Sequence, residues 1–186
     1  MYVEIVKHED NWQEAKDRAM NTVGAEEGKY PSSSWKRKIL KAEHSPIRVV
    51  DMTVRIHDIP YWVAMHLVRH KVGVEHWIST QRSDRTGVYR EELPQGALVN
   101  HSLKLNAQSL INISRRRLCS QASPETRAAW KAVIEAVREV EPELADLCVP
   151  ECIYRGHCPE MKPCGYADTE DYEKRKTAYQ SREIPS

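Results

Sequence analysis

Residues Val49–His57 alternate between the two classes of side chain that a half-buried strand requires. Every second residue from Val50 to Ile56 is apolar, and the residues between them are polar or charged, which is the period of a strand with one face in the core. Asp58-Ile59-Pro60 then favours the start of a helix, with Asp58 near the cap and Pro60 near the first helical position. Tyr61–His70 is apolar almost all round, so we expect a buried helix there.

The remaining patterns predict strands early in the chain and helices later. Residues 2–6 are typical of a short strand, 11–23 and 35–41 of helices, 24–34 and 72–94 of loops, and 97–119 of one long helix. Ser123-Pro124-Glu125 is expected to begin another helix, which Pro142 ends or kinks. From Gly165 onward the chain is polar and aperiodic, and we expect a flexible tail or an arm that packs on a neighbour. This order predicts an α+β fold with an antiparallel sheet and segregated long helices.

Composition and charge limit the classes of function. No apolar run reaches the roughly 18–20 residues that a membrane span needs, and the first residues lack the pattern of a signal peptide, so we expect a cytoplasmic protein without a membrane partner. The formal net charge of the 186 residues is +1. The chain as a whole therefore has no field that would draw it to nucleic acid, and any anion site must be local.

A cluster of cations ends the predicted buried helix. Arg69-His70-Lys71 offers a two-pronged guanidinium donor beside a point charge, a combination that suits a phosphate or pyrophosphate. A solvated helix end, whose basic residues complement the helix dipole, would give the same residues.

Two further polar groups follow. Ser79-Thr80-Gln81-Arg82, with Arg85 and Arg90 beyond it, combines hydroxyls with arginines, as a monophosphate site does, although a polar surface loop has the same composition. Asn106, Gln108, Asn112 and Arg115–Arg117 lie along one predicted helix. Three consecutive arginines splay around a helix, so at most two of them face a given pocket, and a solvated basic face is the alternative.

The order of these groups resembles the flavin-dependent thymidylate synthases. The signature of that family, RHRxxSxNxxSxRY, follows a strand and ends a buried helix, and here RHKVGVEHWISTQR spans Arg69 to Arg82. Ser79 matches the second serine of the signature. With one inserted residue, Thr80 and Arg82 become its Ser and Arg instead, and both registers stay open.

The resemblance continues downstream and covers Glu43 to Arg127. The family's RxxLP corresponds to Arg90–Pro94, its N-x-R-S-L to Asn106–Leu110 with Gln108 for the arginine, and a later asparagine to Asn112. The arginine of its N-L-R segment falls on Arg117. The family's Thr-Pro resembles Ser45-Pro46.

This resemblance implies an enzyme that reductively methylates deoxyuridine monophosphate (dUMP) to thymidylate. It implies flavin adenine dinucleotide (FAD), reduced by NADPH, and methylenetetrahydrofolate as the carbon donor. It also implies a homotetramer with active sites shared between chains. The cofactor does the difficult chemistry, and the protein supplies binding, orientation and charge.

The same resemblance assigns roles to residues. Arg117 and Ser79 are the candidate catalytic residues, and Arg117 would hydrogen-bond the uracil and stabilise its developing negative charge. The residues implied to bind FAD are Ser45, Arg69, His70, Lys71, Asn106, Gln108 and Asn112. The residues implied to contact the nucleotide are His66, Thr80, Gln81, Arg82, Arg90 and Arg117. His66 is equally compatible with a satisfied, partly buried histidine.

Three departures from the signature leave the substrate open. Lys71 replaces an arginine and loses its bidentate fork, while Val74 and His76 stand where the family has a serine and an asparagine. A divergent thymidylate synthase, a flavin-dependent methylase or hydroxymethylase of another pyrimidine nucleotide, and a relative that has lost activity are all compatible with these changes.

The cysteines lie beyond the part that resembles the family. Cys148, Cys152, Cys158 and Cys164 fall within 17 residues, with His157 among them. Four thiolates, or three together with His157, could bind a structural zinc ion, with Cys152, Cys158 and Cys164 as the candidate ligands. The spacing lacks the usual paired Cys-x2-Cys, and reduced thiols packing a turn are the alternative. We therefore predict a flavin- and nucleotide-binding domain of residues 1–147 and a cysteine-rich extension of residues 148–186.

Two other classes of function compete with the enzyme. Trp35–Lys38 and Arg115–Arg117 are basic enough for a nucleic-acid-binding module, although the near-neutral charge and the absence of any helix-turn-helix or zinc-finger spacing argue against it. A non-catalytic zinc or interaction protein built round the cysteines is the second rival. Bound flavin would exclude both.

Overall fold

The sheet follows from alternation in four segments of the chain. The computed structural model describes residues 1–181 and has the strands β1 (Tyr2–His8), β2 (Asp51–Pro60), β3 (Val74–Ile78) and β4 (Leu98–Asn106). All pairs are antiparallel, in the order β1-β2-β4-β3. The α+β fold with an antiparallel sheet is confirmed.

Nine helices accompany the sheet in the described part of the chain. They are α1 (Trp12–Thr22), α2 (Ser33–Ala42), α3 (Tyr61–Leu67), α4 (Ser83–Thr86), α5 (Ala107–Arg117), α6 (Pro124–Val140), α7 (Pro142–Leu147), α8 (Glu151–Arg155) and α9 (Glu170–Ser181). Short 3-10 segments span Ser45–Val49, Arg90–Glu92 and Tyr166–Asp168.

The core lies between one face of the sheet and the long helices. Alternate residues of β2, namely Met52, Val54 and Ile56, are buried, and α6 packs against β1 and β2. Helix α6 begins as the sequence predicts, because Ser123 accepts a hydrogen bond from the amide of Thr126 and Pro124 takes the first helical position. None of the helices within residues 1–181 is long and apolar enough to cross a membrane.

The single long helix expected over 97–119 is wrong. Residues Leu98–Asn106 form β4, and only Ala107–Arg117 is helical. Leu103 fits both periods, because it lies four residues before Ala107 yet also alternates with Ser102 and Lys104. The boundary is set by Asn106, whose side chain caps α5 by accepting from the amide of Ser109 at 2.9 Å.

The loop expected over 72–94 also contains regular structure. Val74–Ile78 pairs with β4 as an edge strand, and Ser83–Thr86 makes one helical turn. The alternation of this strand is obscured in the sequence because His76 lies on the inward face and the exposed Trp77 lies on the outward face. Asp58 is likewise not a helix cap, since β2 continues to Pro60 through a register shift where Asp58 has a φ of 56°, and α3 begins at Tyr61.

The C-terminal segment is helical where the sequence predicted a flexible tail or arm. Helix α9 buries Tyr172 and Tyr179, and the Tyr172 hydroxyl donates to the carbonyl of Cys152 at 3.3 Å. Because α9 buries two large apolar side chains in its described part, its sequence has almost no helical periodicity, and the pattern therefore did not predict a helix. The part of that prediction that concerns residues 182–186 lies outside the described residues.

Candidate functional site

Three of the predicted site residues meet where the end of α3 faces the end of α5. The Arg117 Nε donates to His70 Nε2 at 2.8 Å, and its Nη2 donates to the carbonyl of His66 at 2.6 Å. Arg117 thus satisfies a carbonyl that the last turn of α3 leaves without a helical partner. The fold thus brings Arg117 into contact with residues that lie 47 and 51 positions earlier in the sequence.

His70 is neutral in this arrangement. A ring nitrogen that accepts from Arg117 must carry a lone pair, so the proton of His70 resides on Nδ1. Burial, followed by the charge of Arg117, lowers the pKa of His70 from 6.5 to about 4. The group therefore combines one cation with one neutral imidazole.

Arg117 keeps donors available for a ligand. Burial and then the nearby charge of Arg69 lower the pKa of Arg117, but a guanidinium stays protonated in proteins. The fork has five N–H groups, and the contacts with His66 and His70 use Nε and one hydrogen of Nη2. The remaining donors suit a carbonyl oxygen or an anion at the half-buried end of α5.

His66 ties this group to the start of α6. Its Nδ1 lies 2.8 Å from Thr126 Oγ1, which also accepts from Ser123 Oγ at 2.9 Å. Burial, then the positive charges of Arg117 and Arg69, lowers the pKa of His66. The ring of His66 therefore has a structural partner, while its carbonyl positions Arg117.

The loop that carries Arg69 and Lys71 is fixed through its backbone. Ser109 Oγ donates to the carbonyl of Val72 at 2.9 Å. Gly73 has a φ of +68°, and a Cβ there would lie 2.5 Å from Ser109 Oγ and 2.9 Å from Asn106 Nδ2. The loop consequently sits against the first turn of α5, while the side chains of Arg69 and Lys71 are exposed.

The predicted flavin contacts of α5 divide between two faces of the helix. Asn106 serves as the cap beside Gly73. Gln108 and Asn112 lie on the opposite face with Arg115, and Gln108 Nε2 donates to Glu43 Oε2. Within one chain the structure does not bring Gln108 and Asn112 to the Arg117 group, and their contact with flavin stays a prediction.

The residues predicted to bind the nucleotide phosphate lie beyond the far end of β3. The five residues of β3 span about 16 Å at about 3.3 Å per residue. Ser79 Oγ donates to the carbonyl of Asn100 and accepts from its amide, and Arg82 forms a two-pronged pair with Asp84 at 3.0 and 2.8 Å. Thr80 and Gln81 precede α4, Arg90 begins the 3-10 segment Arg90–Glu92, and Ser45 begins the 3-10 segment Ser45–Val49. Within residues 1–181, none of these four hydrogen-bonds to the side chains of Arg117, His66 or His70.

Two histidines of the site were missed or misjudged by sequence reasoning. His76 entered only as a departure from a motif, and His101 did not enter at all. His101 is fully buried, and it occupies the inward face of β4 between Val99 and Leu103. A histidine within an alternating apolar pattern is the signal that could have revealed it, had 98–106 been recognised as a strand.

The cysteines converge on a separate cavity of about 900 Å³. Its lining includes Cys119, Cys148, Cys152, Cys158 and Cys164. Burial raises the pKa of the Cys148 thiol to about 12, so this thiol stays protonated. Within residues 1–181 no three His, Cys, Asp or Glu side chains are grouped so that they could hold a metal ion, and the predicted zinc site of Cys152, Cys158 and Cys164 gains no support.

Comparisons of the sequence identify relatives over part of the chain. A segment of 65 residues is 43% identical to the flavin-dependent thymidylate synthase of Saccharolobus solfataricus, covering 34% of this chain and 25% of that protein. The enzyme of the same name from Clostridium tetani is 36% identical over 64 residues. The match thus spans about a quarter of the length of these curated relatives. No family model matches the chain.

Comparisons of the structure extend over most of the chain. Thymidylate synthase X from Helicobacter pylori, solved with FAD and dUMP, superposes with a TM-score of 0.67 at 12% identity, covering 80% of this chain and 99% of that one. The UMP/dUMP methylase PolB from Streptomyces cacaoi, bound with 5-Br dUMP, superposes with a TM-score of 0.62 at 15% identity over 78% of this chain and 93% of that one. These similarities establish the shared fold.

Proposed function

We propose that this chain, a divergent member of the flavin-dependent thymidylate synthase family, methylates dUMP reductively to thymidylate. FAD, NADPH and methylenetetrahydrofolate are the proposed cofactor, reductant and carbon donor. The observation that carries the proposal is the Arg117 group, in which a guanidinium is held by a neutral imidazole and a carbonyl beside an exposed cationic loop. The sequence match to the named synthases and the shared fold support it.

The donor set at this loop fits a dinucleotide cofactor. Arg69 and Lys71 project from a backbone held against α5, and no carboxylate follows them before Glu75, so they would hold the phosphates of FAD. FAD bound there and reduced by NADPH would supply the hydride for the reductive methylation. Ser45 and the α5 side chains Asn106, Gln108 and Asn112 would complete the cofactor site.

The division of α5 into two faces is compatible with a site that two or more chains share. Because Gln108 and Asn112 face away from Arg117, one bound cofactor would take these contacts from different chains. We therefore propose a homotetramer in which residues 1–147 form the shared site and residues 148–186 form the extension. The size of the assembly is measured directly by light scattering.

On the substrate side, Arg117 would donate to the uracil and stabilise negative charge as hydride arrives. Within one chain these groups lie beyond the far end of β3 from Arg117, so Arg82 and Arg90 of a second chain, with its Ser79 or Thr80 hydroxyl and its Gln81 amide, would hold the nucleotide phosphate. For this, Arg82 must exchange its exposed pair with Asp84 for the phosphate, which costs little because exposed ion pairs contribute about 1 kcal/mol or less. Ser79 is proposed as a second catalytic residue.

A second candidate substrate is favoured by the similarity to a UMP/dUMP methylase. Val74 and His76 replace hydrogen-bonding residues of the family signature, so the environment of the pyrimidine nucleotide differs in this chain. Methylation of uridine monophosphate, or of another pyrimidine nucleotide, by the same flavin chemistry is the alternative.

A product assay tests the proposal. Purified protein is incubated with FAD, NADPH and methylenetetrahydrofolate, together with either dUMP or UMP, and the nucleotides are analysed by mass spectrometry. Formation of thymidylate that stops when any one of the cofactors is omitted supports the proposal, and a methylated product from UMP but not from dUMP supports the alternative. Absence of both products from protein with bound flavin would contradict methylation of dUMP and of UMP.

A further inference from the structure

His76 and His101 form a pair that the proposed chemistry does not use. His76 lies opposite Leu103 in the register of β3 and β4, so His101, two residues earlier on β4, is its diagonal neighbour on the same face. His76 Nδ1 lies 3.0 Å from His101 Nε2, and the ring centroids are 5.1 Å apart. On its other side, His76 Nε2 lies 2.7 Å from the carbonyl of His70.

Chemistry fixes the direction of this chain of hydrogen bonds. A carbonyl only accepts, so His76 Nε2 carries a proton and donates to His70. His76 Nδ1 then accepts from His101 Nε2. The reverse arrangement would charge His76 and place the proton of His101 on Nδ1, which is buried and lacks a hydrogen-bond partner among residues 1–181. A buried donor without an acceptor is unfavourable, so His101 donates to His76, and His76 donates to His70.

The chain of hydrogen bonds ends on the residue that holds Arg117. His76 fixes the carbonyl of His70, and the ring of His70 accepts from Arg117 at 2.8 Å. Ser109 fixes the carbonyl of Val72 two residues later. The backbone between Arg69 and Gly73 is therefore held at two carbonyls, one by an imidazole and one by a hydroxyl.

Burying His101 on the inward face of a strand costs free energy that an apolar residue would not cost. It is 0% exposed, and a leucine or phenylalanine would avoid burying the unpartnered Nδ1. Burial, and then the nearby His76, lowers the pKa of His101 to about 4, in keeping with a neutral ring. What His101 provides and a hydrocarbon cannot is a donor to His76 Nδ1, which orients the ring whose Nε2 donates to His70.

We propose that His101 and His76 are positioning residues, which hold the Arg69–Gly73 loop and the guanidinium of Arg117 in the geometry that binds flavin and nucleotide. We call the chain of hydrogen bonds from His101 through His76 to His70 the relay. The ligands in this proposal rest on the proposed function, whereas the relay itself does not. Neither residue touches the reacting atoms; each acts through His70.

Two-bond proton–nitrogen correlation spectra of the histidine rings test the relay in the full-length protein without any ligand. We expect His76 and His101 to be neutral with the proton on Nε2, and His70 to be neutral with the proton on Nδ1. In His101→Leu, His76 keeps its proton on Nε2, because the carbonyl of His70 still accepts it, but His76 Nδ1 loses its donor and its nitrogen resonance is expected to shift. His157→Gln, a change at an exposed position, is the matched control. A charged His70, or a His76 Nδ1 resonance that does not move in His101→Leu, would overturn the relay.

Binding measurements test what the relay positions. His101→Leu is expected to bind FAD about tenfold more weakly, as the loss of one net hydrogen bond at a positioned loop implies. His101→Gln, whose amide can donate from a similar reach, is expected to recover most of this loss. Equal affinity in wild type and His101→Leu would overturn the positioning role. If wild type itself binds no FAD, the proposed function fails, whereas the tautomers still decide whether the relay exists.

Should His101→Leu not fold, His76→Gln replaces it. This change keeps both a donor for the His70 carbonyl and an acceptor for His101, because the glutamine amide carries an NH2 group and a carbonyl oxygen. FAD affinity close to that of wild type in His76→Gln, together with the expected tautomer of His70, supports the proposal. A loss as large as that of His76→Leu would contradict it, because the donor to His70 would then be irrelevant.

Discussion

Helix α5 carries two arginines whose surroundings differ in kind. Within residues 1–181, the hydrogen-bond partners of Arg117 are neutral, namely the ring of His70 and the carbonyl of His66. Arg115, on the other face, donates to the carboxylate of Glu43 and stacks on Tyr154, with its guanidinium carbon 3.5 Å from the ring centroid. The first arrangement fixes a cation without neutralising it, and the second neutralises it.

We propose that this difference separates a ligand-binding group from a structural one. A guanidinium held by neutral acceptors keeps its full charge for a ligand, whereas one paired with a carboxylate has its charge already compensated. Residue type and spacing are the same for both arginines; only the partners distinguish them. Variants at the two positions should therefore affect different quantities.

The largest expected effect is on turnover in Arg117→Ala. Removing one donor that stabilises developing charge costs about 100- to 1000-fold in kcat, measured by thymidylate formation with saturating dUMP. Arg117→Lys keeps the charge but loses the fork, and we expect it to recover only part of the rate. If Arg117→Ala retained more than about a tenth of the activity, Arg117 would not be a catalytic residue.

Arg115→Ala should act on stability instead. It leaves Glu43, which is largely shielded from solvent, without its cation, and we expect the free energy of unfolding to fall by about 3 kcal/mol. Arg116→Ala is the control, since its side chain is 58% exposed and its ion pairs with Glu151 and Glu160 are long, at 3.9 Å each, so its loss should cost about 1 kcal/mol or less. Chemical denaturation measures both. Similar values for the two variants would remove the distinction between the faces.

Gly73→Ala tests how tightly the cationic loop is held against α5. The new Cβ would meet Ser109 Oγ at 2.5 Å, so the loop or the start of α5 must shift. Gly87→Ala has the same sign of φ, at +73°, but nothing within 4 Å of the new Cβ, so it reports backbone strain alone. We expect Gly73→Ala to lose about 2 kcal/mol more than Gly87→Ala. Equal losses would mean that the loop has room to move.

Lowering the pH should reduce the stability of the fold through two histidines, His70 and His101. His70 and His101 have pKa values lowered from 6.5 to about 4, so between these limits the unfolded chain binds more protons than the folded one. The free energy of unfolding therefore falls as pH falls from about 6.5 to about 4, each histidine contributing up to about 1.4 kcal/mol per pH unit. His101→Gln should reduce this slope by one proton. An unchanged slope would show that His101 is not buried as a neutral ring.

The sequence predicts the elements whose period is unambiguous and misses those whose period is not. The strand at Val49–His57 and the helix at Ser123 are confirmed because alternation, a cap and a proline agree there. The helix expected over 97–119 fails because Leu103, Ala107 and Leu110 suit a helix while Leu103 and Leu105 also suit a strand. Only the pairing of β4 with β2 and β3 settles that conflict, and pairing is a tertiary effect.

For the site, sequence order brings out Arg69, His70 and Arg117, and the structure joins the last two. The sequence does not reveal His101, because one histidine in an unrecognised strand has no local signature. Nor does it reveal that Arg82 pairs with Asp84, or that Gln108 faces Glu43, since these depend on side-chain direction and partner rather than on spacing. Cys152, Cys158 and Cys164, which the sequence predicts as zinc ligands, line one cavity, but within residues 1–181 they are not grouped so that they could hold a metal ion.

The central claim is that the Arg117 group and the cationic loop bind a flavin and a pyrimidine nucleotide. An absorption spectrum of the purified protein, titrated with FAD and then with dUMP, tests it most directly. We predict a bound flavin whose visible band shifts when dUMP is added. No binding of FAD at micromolar concentration, or a flavin band indifferent to dUMP and UMP alike, would contradict it.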